Sequence, residues 1–430
     1  MENILKMALS KVEEAEIYRE DFQNTTVSFQ SNRLKAIDNS FGQGIGLRVI
    51  KNKKIGFSSI TNLADLKFLV KSAIESSRFG EIALFKFPTS SKISKVKCFD
   101  PAILSISVEK MVEEGERAIR AILEEFPYLQ CEAQIDKTIL KISILNSSGL
   151  SFSYKKSFYS FSIYAFLARE GDFLGVGEEE ASCQYQDWSD LIAQRVVEKA
   201  RLAQKNAAIE TGTYPVIFTS KAMPVIFASL KKGINGKLIQ KKVSPLFPKL
   251  KKQVTSPLVS IVDDATFPYG KASSPVDGEG IPSRRNPIIE NGILKNFIYD
   301  LQTAGLMKTQ TTANAAREYD TLPSPSTTNF IVAPGNFSME EMIKDIKEGL
   351  IVDQVIGAGQ SNTLMGEFSV NLDLGFKIEK GKIKGRVKDV MATGNIYELL
   401  NNIRGIGEKT QFVGSTLTPP FYFSKINIAS

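Results

Sequence analysis

The chain has 430 residues, is 43% hydrophobic and 23% charged, and contains no histidine. Its length predicts two or three domains with sizeable cores, and the missing imidazole excludes Ser-His-Asp and Cys-His nucleophiles as well as histidine-ligated zinc. The net charge of +7 belongs to the second half: residues 1–210 hold 28 basic and 28 acidic side chains, residues 211–430 hold 26 and 19.

Residues 2–11 have the spacing of a short helix. Strand-like runs follow at 16–18, 26–30 and 34–37. Residues 44–60 read as a hairpin: Ile45, Leu47 and Val49 alternate, Lys51-Asn52-Lys53 turns, and Ile55 and Phe57 alternate back. Asn62 is the expected cap of a helix carrying Leu66, Leu69, Val70 and Ala73 on one face. Ser107 opens a second helix, with Met111, Ile119 and Ile122 inward. Residues 130–168 return to strands rich in β-branched and aromatic residues, and their pairing suggests an antiparallel sheet. A helix over 190–204 buries Ile192, Val196 and Ala200. The charge balance shifts at Glu210-Thr211-Gly212, which sets a domain boundary: 1–210 and 211–430.

The second half begins with an apolar strand at 214–219. Ser220 is the expected cap of a helix ending at Gly233, with Pro224 tolerated in its first turn. Asn291-Gly292 marks a hairpin. Ser338 and Glu341 form a capping box for a helix to about residue 348. Residues 368–390 read as strands joined at Lys380-Gly381, and Asn395 opens a helix through Ile403.

Several motifs suggest chemistry and also have a plain structural reading. Gly42-Gln43-Gly44-Ile45-Gly46 lacks dinucleotide-loop spacing and leads into a strand, so turn glycines are the better reading. Cys98, Cys131 and Cys183 include no C-x-x-C pair and fit free thiols in a reducing cytoplasm. Met1-Glu2-Asn3 opens no export signal, and no run approaches the roughly 20 apolar residues of a membrane span. Asp263-Asp264 and Asp277-Gly278-Glu279 read as loop polarity rather than cation sites. Ser229 and Lys232 have the spacing of a Ser-Lys dyad, but a surface Ser and a Lys at a helix C-terminus are favoured. Nine lysines and no acidic residue lie between 221 and 252. A solvated face is favoured there over a nucleic-acid surface, because arginine is absent. Gly278-Glu279-Gly280-Ile281-Pro282-Ser283-Arg284-Arg285 is either a loop ordering its arginines on a carboxylate or peptide, or a turn before the hairpin.

That last string also carries a resemblance. GEGIPSRRNPIIENGILKNFIYD (278–300) is similar to the C-terminal region of the TldD/TldE (PmbA) family. The likeness continues through Thr312-Ala313-Asn314-Ala315-Ala316-Arg317, Pro323-Ser324-Pro325-Ser326-Thr327-Thr328-Asn329, Gly366-Glu367-Phe368-Ser369 and Gly394-Asn395. Residues 44–58 resemble the family's early hairpin. The resemblance implies an α+β protein of two domains that dimerises: an N-terminal helix and antiparallel-sheet domain, then a strand-rich domain of metallopeptidase type.

In the family's metal-bearing TldD-type subunit, an H-E-x-x-x-H helix and a later Cys bind the metal. Alignment through Lys232-Gly233-Ile234-Asn235-Gly236 puts Phe227 and Lys232 at the histidine positions and Ala228 at the general base, and no Cys follows Gly407. The resemblance therefore implies a TldE/PmbA-like subunit, a pseudoenzyme with no catalytic residue, metal or cofactor of its own. The expected partner is a TldD-type chain holding the metal, or a second copy of this chain. The expected location is the cytoplasm, and the expected role is proteolysis or maturation of flexible peptides. Arg284 and Arg285 are candidate substrate or partner contacts. The alternative implied by the family is a regulatory protein of the DNA gyrase modulator kind.

Overall fold

The structure, a computed structural model, describes residues 1–169, 172–357 and 361–430. Helix α1 (Glu2–Leu9) leads into β1 (Glu14–Gln30), β2 (Arg33–Lys51) and β3 (Lys54–Ile60). Helices α2 (Leu66–Ser76), α3 (Ala102–Ser105) and α4 (Val108–Glu125) follow, then β4 (Gln130–Asn146), β5 (Ser151–Arg169), β6 (Asp172–Ser182) and α5 (Ser189–Leu202). The six strands make one antiparallel sheet in the order β3-β2-β1-β4-β5-β6.

Period-2 alternation decides which face is covered. Val27, Phe29, Ile135, Phe161 and Ile163 point to one side, where Met111, Ile119 and Ile122 of α4 and Ile192 and Val196 of α5 bury them. The short runs at 16–18, 26–30 and 34–37 are parts of two long strands. The polar stretch between them remains strand because β1 pairs with β2 on one side and β4 on the other, so its backbone groups are satisfied. The helix after β3 is capped by Asp65, whose carboxylate accepts from the Phe68 N–H, while Asn62 supports the preceding turn. Gly42 and Gly44 sit within β2 rather than in a turn. Their missing Cβ atoms make room for the rings of Phe22 and Tyr319.

The second half starts with β7 (Gly212–Phe218), α6 (Met223–Gly233) and α7 (Gly236–Gln240). Next come β8 (Ile261–Asp264), β9 (Arg285–Glu290), β10 (Ile293–Leu294), α8 (Leu301–Leu306), β11 (Ala315–Ala316), β12 (Ser324–Pro325), β13 (Phe330–Val332) and α9 (Met339–Asp345). The chain closes with β14 (Glu348–Ile356), β15 (Glu367–Glu379), β16 (Lys382–Arg386), β17 (Met391–Asn395), α10 (Ile396–Leu399), β18 (Ile403–Ile406), β19 (Gln411–Val413), β20 (Thr416–Thr418) and β21 (Phe421–Ala429).

Strands β14, β7, β21, β17 and β15 pair in that order, and β15 pairs back to β14, which closes a ring. Val216, Phe218, Leu350, Val352, Phe421 and Phe423 share one core with α6. Their neighbours Ile217, Ile351 and Tyr422 join the core under α4 and α5. Burial on both faces explains why these strands are continuous apolar runs, and it fuses the two halves through one packed layer. A second sheet runs β10-β9-β8-β13-β20-β19.

The expected helix starts and stops shift at three places. Helix α6 begins at Met223 with no side-chain cap, so Ser220 lies before it. Helix α9 ends at Asp345 because Glu348 already belongs to β14. Helix α10 stops after one turn, where Asn401 and Asn402 bond back to the carbonyls of Tyr397 and Glu398, and Ile403 enters a strand.

Candidate functional site

Helix α6 presents the three positions that the sequence singled out. Phe227 is fully buried, with ring centroids 5.6 Å from Phe330 and 5.7 Å from Phe421. Residues four apart share a helix face, and Lys231 accordingly joins Phe227. Its Nζ lies 4.9 Å from the Phe330 ring centroid and donates to Thr416 Oγ1 at 2.6 Å. Lys232, five residues on, diverges to solvent and donates to Thr363 Oγ1. Ala228 is half-buried beside Phe227. Ser229 is buried and Lys232 exposed, so the two do not form a dyad.

These side chains do not fit a metal ion. A phenyl ring packed between two others, a methyl and an ammonium supply no lone pair to a cation. Among the described residues, no group of three His, Cys, Asp or Glu is arranged to hold one. Burial instead creates a titrating pair behind α6. It pushes Lys231 down to about 8, opposed by the nearby Asp263 charge. It pushes Asp263 up to about 6, opposed by hydrogen bonds from Thr328 and Asn314 and by Lys231.

The string 278–285 divides in two. Arg284 and Arg285 are exposed; Arg284 Nη2 donates to Thr311 O at 2.9 Å, and Arg285 approaches Asp264 at 4.0 Å. Asp277 and Glu279 are buried, against the expectation of loop polarity. Asp277 accepts the N–H groups of Glu279, Ile281 and Ala315 at 2.9, 3.0 and 3.1 Å. Glu279 accepts from Arg48 Nη1 and from the Leu301 N–H, both at 2.7 Å. Arg48 also pairs with Glu16 at 3.0 Å, and Arg317 Nη1 reaches the same carboxylate at 2.6 Å. Burial raises both the Asp277 and Glu279 carboxyls. Burial also opposes the Arg48 charge, but Glu16 and Glu279 outweigh it and hold the guanidinium protonated. This cluster joins β1 and β2 to the second half. Sequence reasoning missed it because its partners come from four separate segments; the one signal available was that charges at 277 and 279 flank a glycine whose missing Cβ admits the Arg317 stem.

A second joint absorbs Lys221, the first lysine of the basic run. Its ammonium donates to Gly177 O and to Gln354 Oε1, the latter at 2.7 Å. Lys199 bridges Glu178 and Asp353 at 2.6 and 2.7 Å. Beside this joint opens a cleft of about 630 Å³ whose lining includes Glu132, Gln134, Tyr164, Lys221 and Asp373. It lies where the uncovered face of the first sheet meets β14, so it could take an extended chain.

Three family-domain profiles match the chain: the PmbA/TldA metallopeptidase domain 1 over residues 15–77, the central domain over 101–204 and the C-terminal domain over 211–430. A metalloprotease TldD homolog from Haemophilus influenzae is 25% identical over 430 residues, covering 94% of this chain and 87% of that protein. The crystal structure of TldE from Thermococcus kodakarensis superposes with a TM-score of 0.93 at 23% identity, covering 100% of both chains. A protein from Thermotoga maritima described as a proposed modulator of a DNA gyrase gives a TM-score of 0.91 at 23% identity, covering 100% of this chain and 99% of that one.

Proposed function

This chain belongs to the PmbA/TldA metallopeptidase family, and we propose that it is the non-catalytic, TldE/PmbA-like subunit of a cytoplasmic TldD/TldE-type complex that cleaves or matures flexible peptides. The observation that carries this reading is the packing at α6. Phe227 fills its position with a ring held by Phe330 and Phe421, and Lys232 points elsewhere. In this reading the metal and its chemistry belong to a TldD-type partner. This chain contributes a wall and positions the substrate, with the cleft beside Lys221 and the exposed Arg284 and Arg285 as the surfaces available for it. Three free, buried cysteines fit a reducing compartment.

The test is to co-express the chain with a histidine-containing paralogue from the same genome and assay flexible peptides. Hydrolysis that needs both chains, with metal only in the paralogue, supports the reading. Stoichiometric metal in this chain alone would end it.

The gyrase-modulator alternative draws on the basic second half and on the Thermotoga structure's description. It requires salt-sensitive binding to DNA or gyrase without a TldD-type chain. The fold weakens it, because Lys221 and Lys231 of the lysine run are spent on internal contacts.

A further inference from the structure

Both outer strands of the first sheet bond to groups beyond it. On β6, Gln354 Oε1 accepts from the Gly177 N–H at 2.8 Å, Lys221 donates to Gly177 O, and Arg386 Nη1 donates to Phe173 O at 2.7 Å. On β3, the Ile55 N–H donates to Glu81 O at 2.9 Å and the Ala83 N–H donates to Lys53 O at 2.8 Å. Ser76 Oγ accepts from the Phe57 N–H and donates to Phe57 O. One stretch of edge lacks such cover. Strand β3 pairs with β2 only from Ile45 to Lys51. Residues 33–44 of β2 pair with β1 on one side, and among the described residues no backbone hydrogen bond is made on their other side.

A bare edge offers unpaired N–H and C=O groups to another strand, and monomeric proteins blunt such edges with charge, proline or bulges. Here the blunting is slight. The one register shift between β1 and β2 lies at the end of the stretch, beside Lys35. From Ala36 to Gly44 the only charged residue is Asp38, and there is no proline. The large side chains are apolar instead: Leu34, Ile37 and Phe41 are 42%, 43% and 88% exposed. They stand opposite Phe29, Val27 and Gln23 of β1, so they share the face on which Val27 and Phe29 enter the core under α4. The apolar side of the sheet therefore runs on past its own edge. A cavity of about 610 Å³ opens against Phe41, Gly42 and Gln43, where β3 leaves β2.

We propose that this edge binds the same edge of a second copy of the chain, antiparallel, about a twofold axis at Asn39. The two sheets then continue into one, with both helix layers on the same side. The stretch itself selects this occupant, because a twofold contact has to be self-complementary. The bare run from Leu34 to Gly44 has Asn39 at its centre, so this register uses all of it and stops where β3 begins. Ile37 then lies opposite Phe41 of the second copy, twice, on the apolar face, and Asp38 lies opposite Ser40. Centring the axis on Asp38 instead would set two aspartates against each other. The proposal does not rest on the subunit reading above.

The test uses the full chain alone. Sedimentation velocity finds a dimer at micromolar concentration. Ile37→Glu/Phe41→Glu sets like charges opposite each other and weakens dimerisation roughly tenfold or more. Ile37→Lys/Phe41→Lys does the same, and an equal mixture of the two double variants restores the dimer. Both positions are exposed, so the variants fold normally, which circular dichroism checks. Cross-linking reads the register. Directly opposite residues stand about 4.5–5.5 Å apart at Cα, within disulfide reach, whereas Ile37 lies about 13 Å along the strand from its own copy. Mild oxidation therefore links a mixture of Ile37→Cys and Phe41→Cys chains but neither variant alone, and the three native cysteines are buried. A monomer throughout, a dimer indifferent to the charged variants, or cross-linking of either single variant alone overturns the proposal. No TldD-type chain is needed, so failure here leaves the subunit reading intact, and failure of the mixing experiment leaves this dimer measurable.

Discussion

The ring of Phe227 touches Phe330 and Phe421 on the inner side of α6, and none of its surface reaches water. Truncation removes a fully buried aromatic and leaves a cavity, so Phe227→Ala should cost about 3–5 kcal/mol in urea unfolding. Restoring the family's residues should not restore a metal site. In Phe227→His/Ala228→Glu/Lys232→His, position 227 remains enclosed by Phe330 and Phe421, and no Cys follows Gly407 to complete the ligand set. Metal analysis of that triple variant should find no stoichiometric zinc. Lys231 gives a pH signature at the same helix. Its folded value lies near 8 against an ordinary 10.5, so between those limits the folded chain binds fewer protons than the unfolded one. Stability contributed by this group is therefore present above about 10.5 and is lost as pH falls toward 8, up to about 3 kcal/mol. Lys231→Met should abolish that rise in unfolding free energy between pH 8 and 10.5; an unchanged slope would show that the ammonium is not buried.

The two halves are joined by Glu16 and Arg48, on β1 and β2, meeting Glu279 and Arg317 from loops of the second half. All four side chains are at most 2% exposed. Removing one partner leaves an uncompensated buried charge, so Glu279→Ala should cost about 3–5 kcal/mol, measured by urea unfolding with a probe in each half. Most elements are legible in the sequence because their signals are local. The alternation of Ile45, Leu47 and Val49, the Ser338 capping box and the Asn291-Gly292 turn each lie within a few residues. The junctions are not legible. Nothing near Glu279 announces Arg48, and nothing near Gly44 announces that the ring of Tyr319 lies over it. The polar centre of β1 likewise reads as loop until strands on both sides supply its hydrogen bonds.

At the scale of the molecule, strands buried on both faces hold the halves in one layer, and the charged joints at Arg48 and Lys221 fix their angle. The same sequence feature, a complete lack of histidine, takes its meaning from that frame: α6, where the resemblance places degenerate ligand positions, packs Phe227 into the core. The most direct test of the central claim is to measure peptide hydrolysis and bound metal on the purified chain, on a TldD-type partner from the same genome and on their mixture. The account predicts no metal and no hydrolysis from this chain alone, and full activity when the metal-bearing partner is added. Stoichiometric metal and peptide hydrolysis by this chain alone would contradict it.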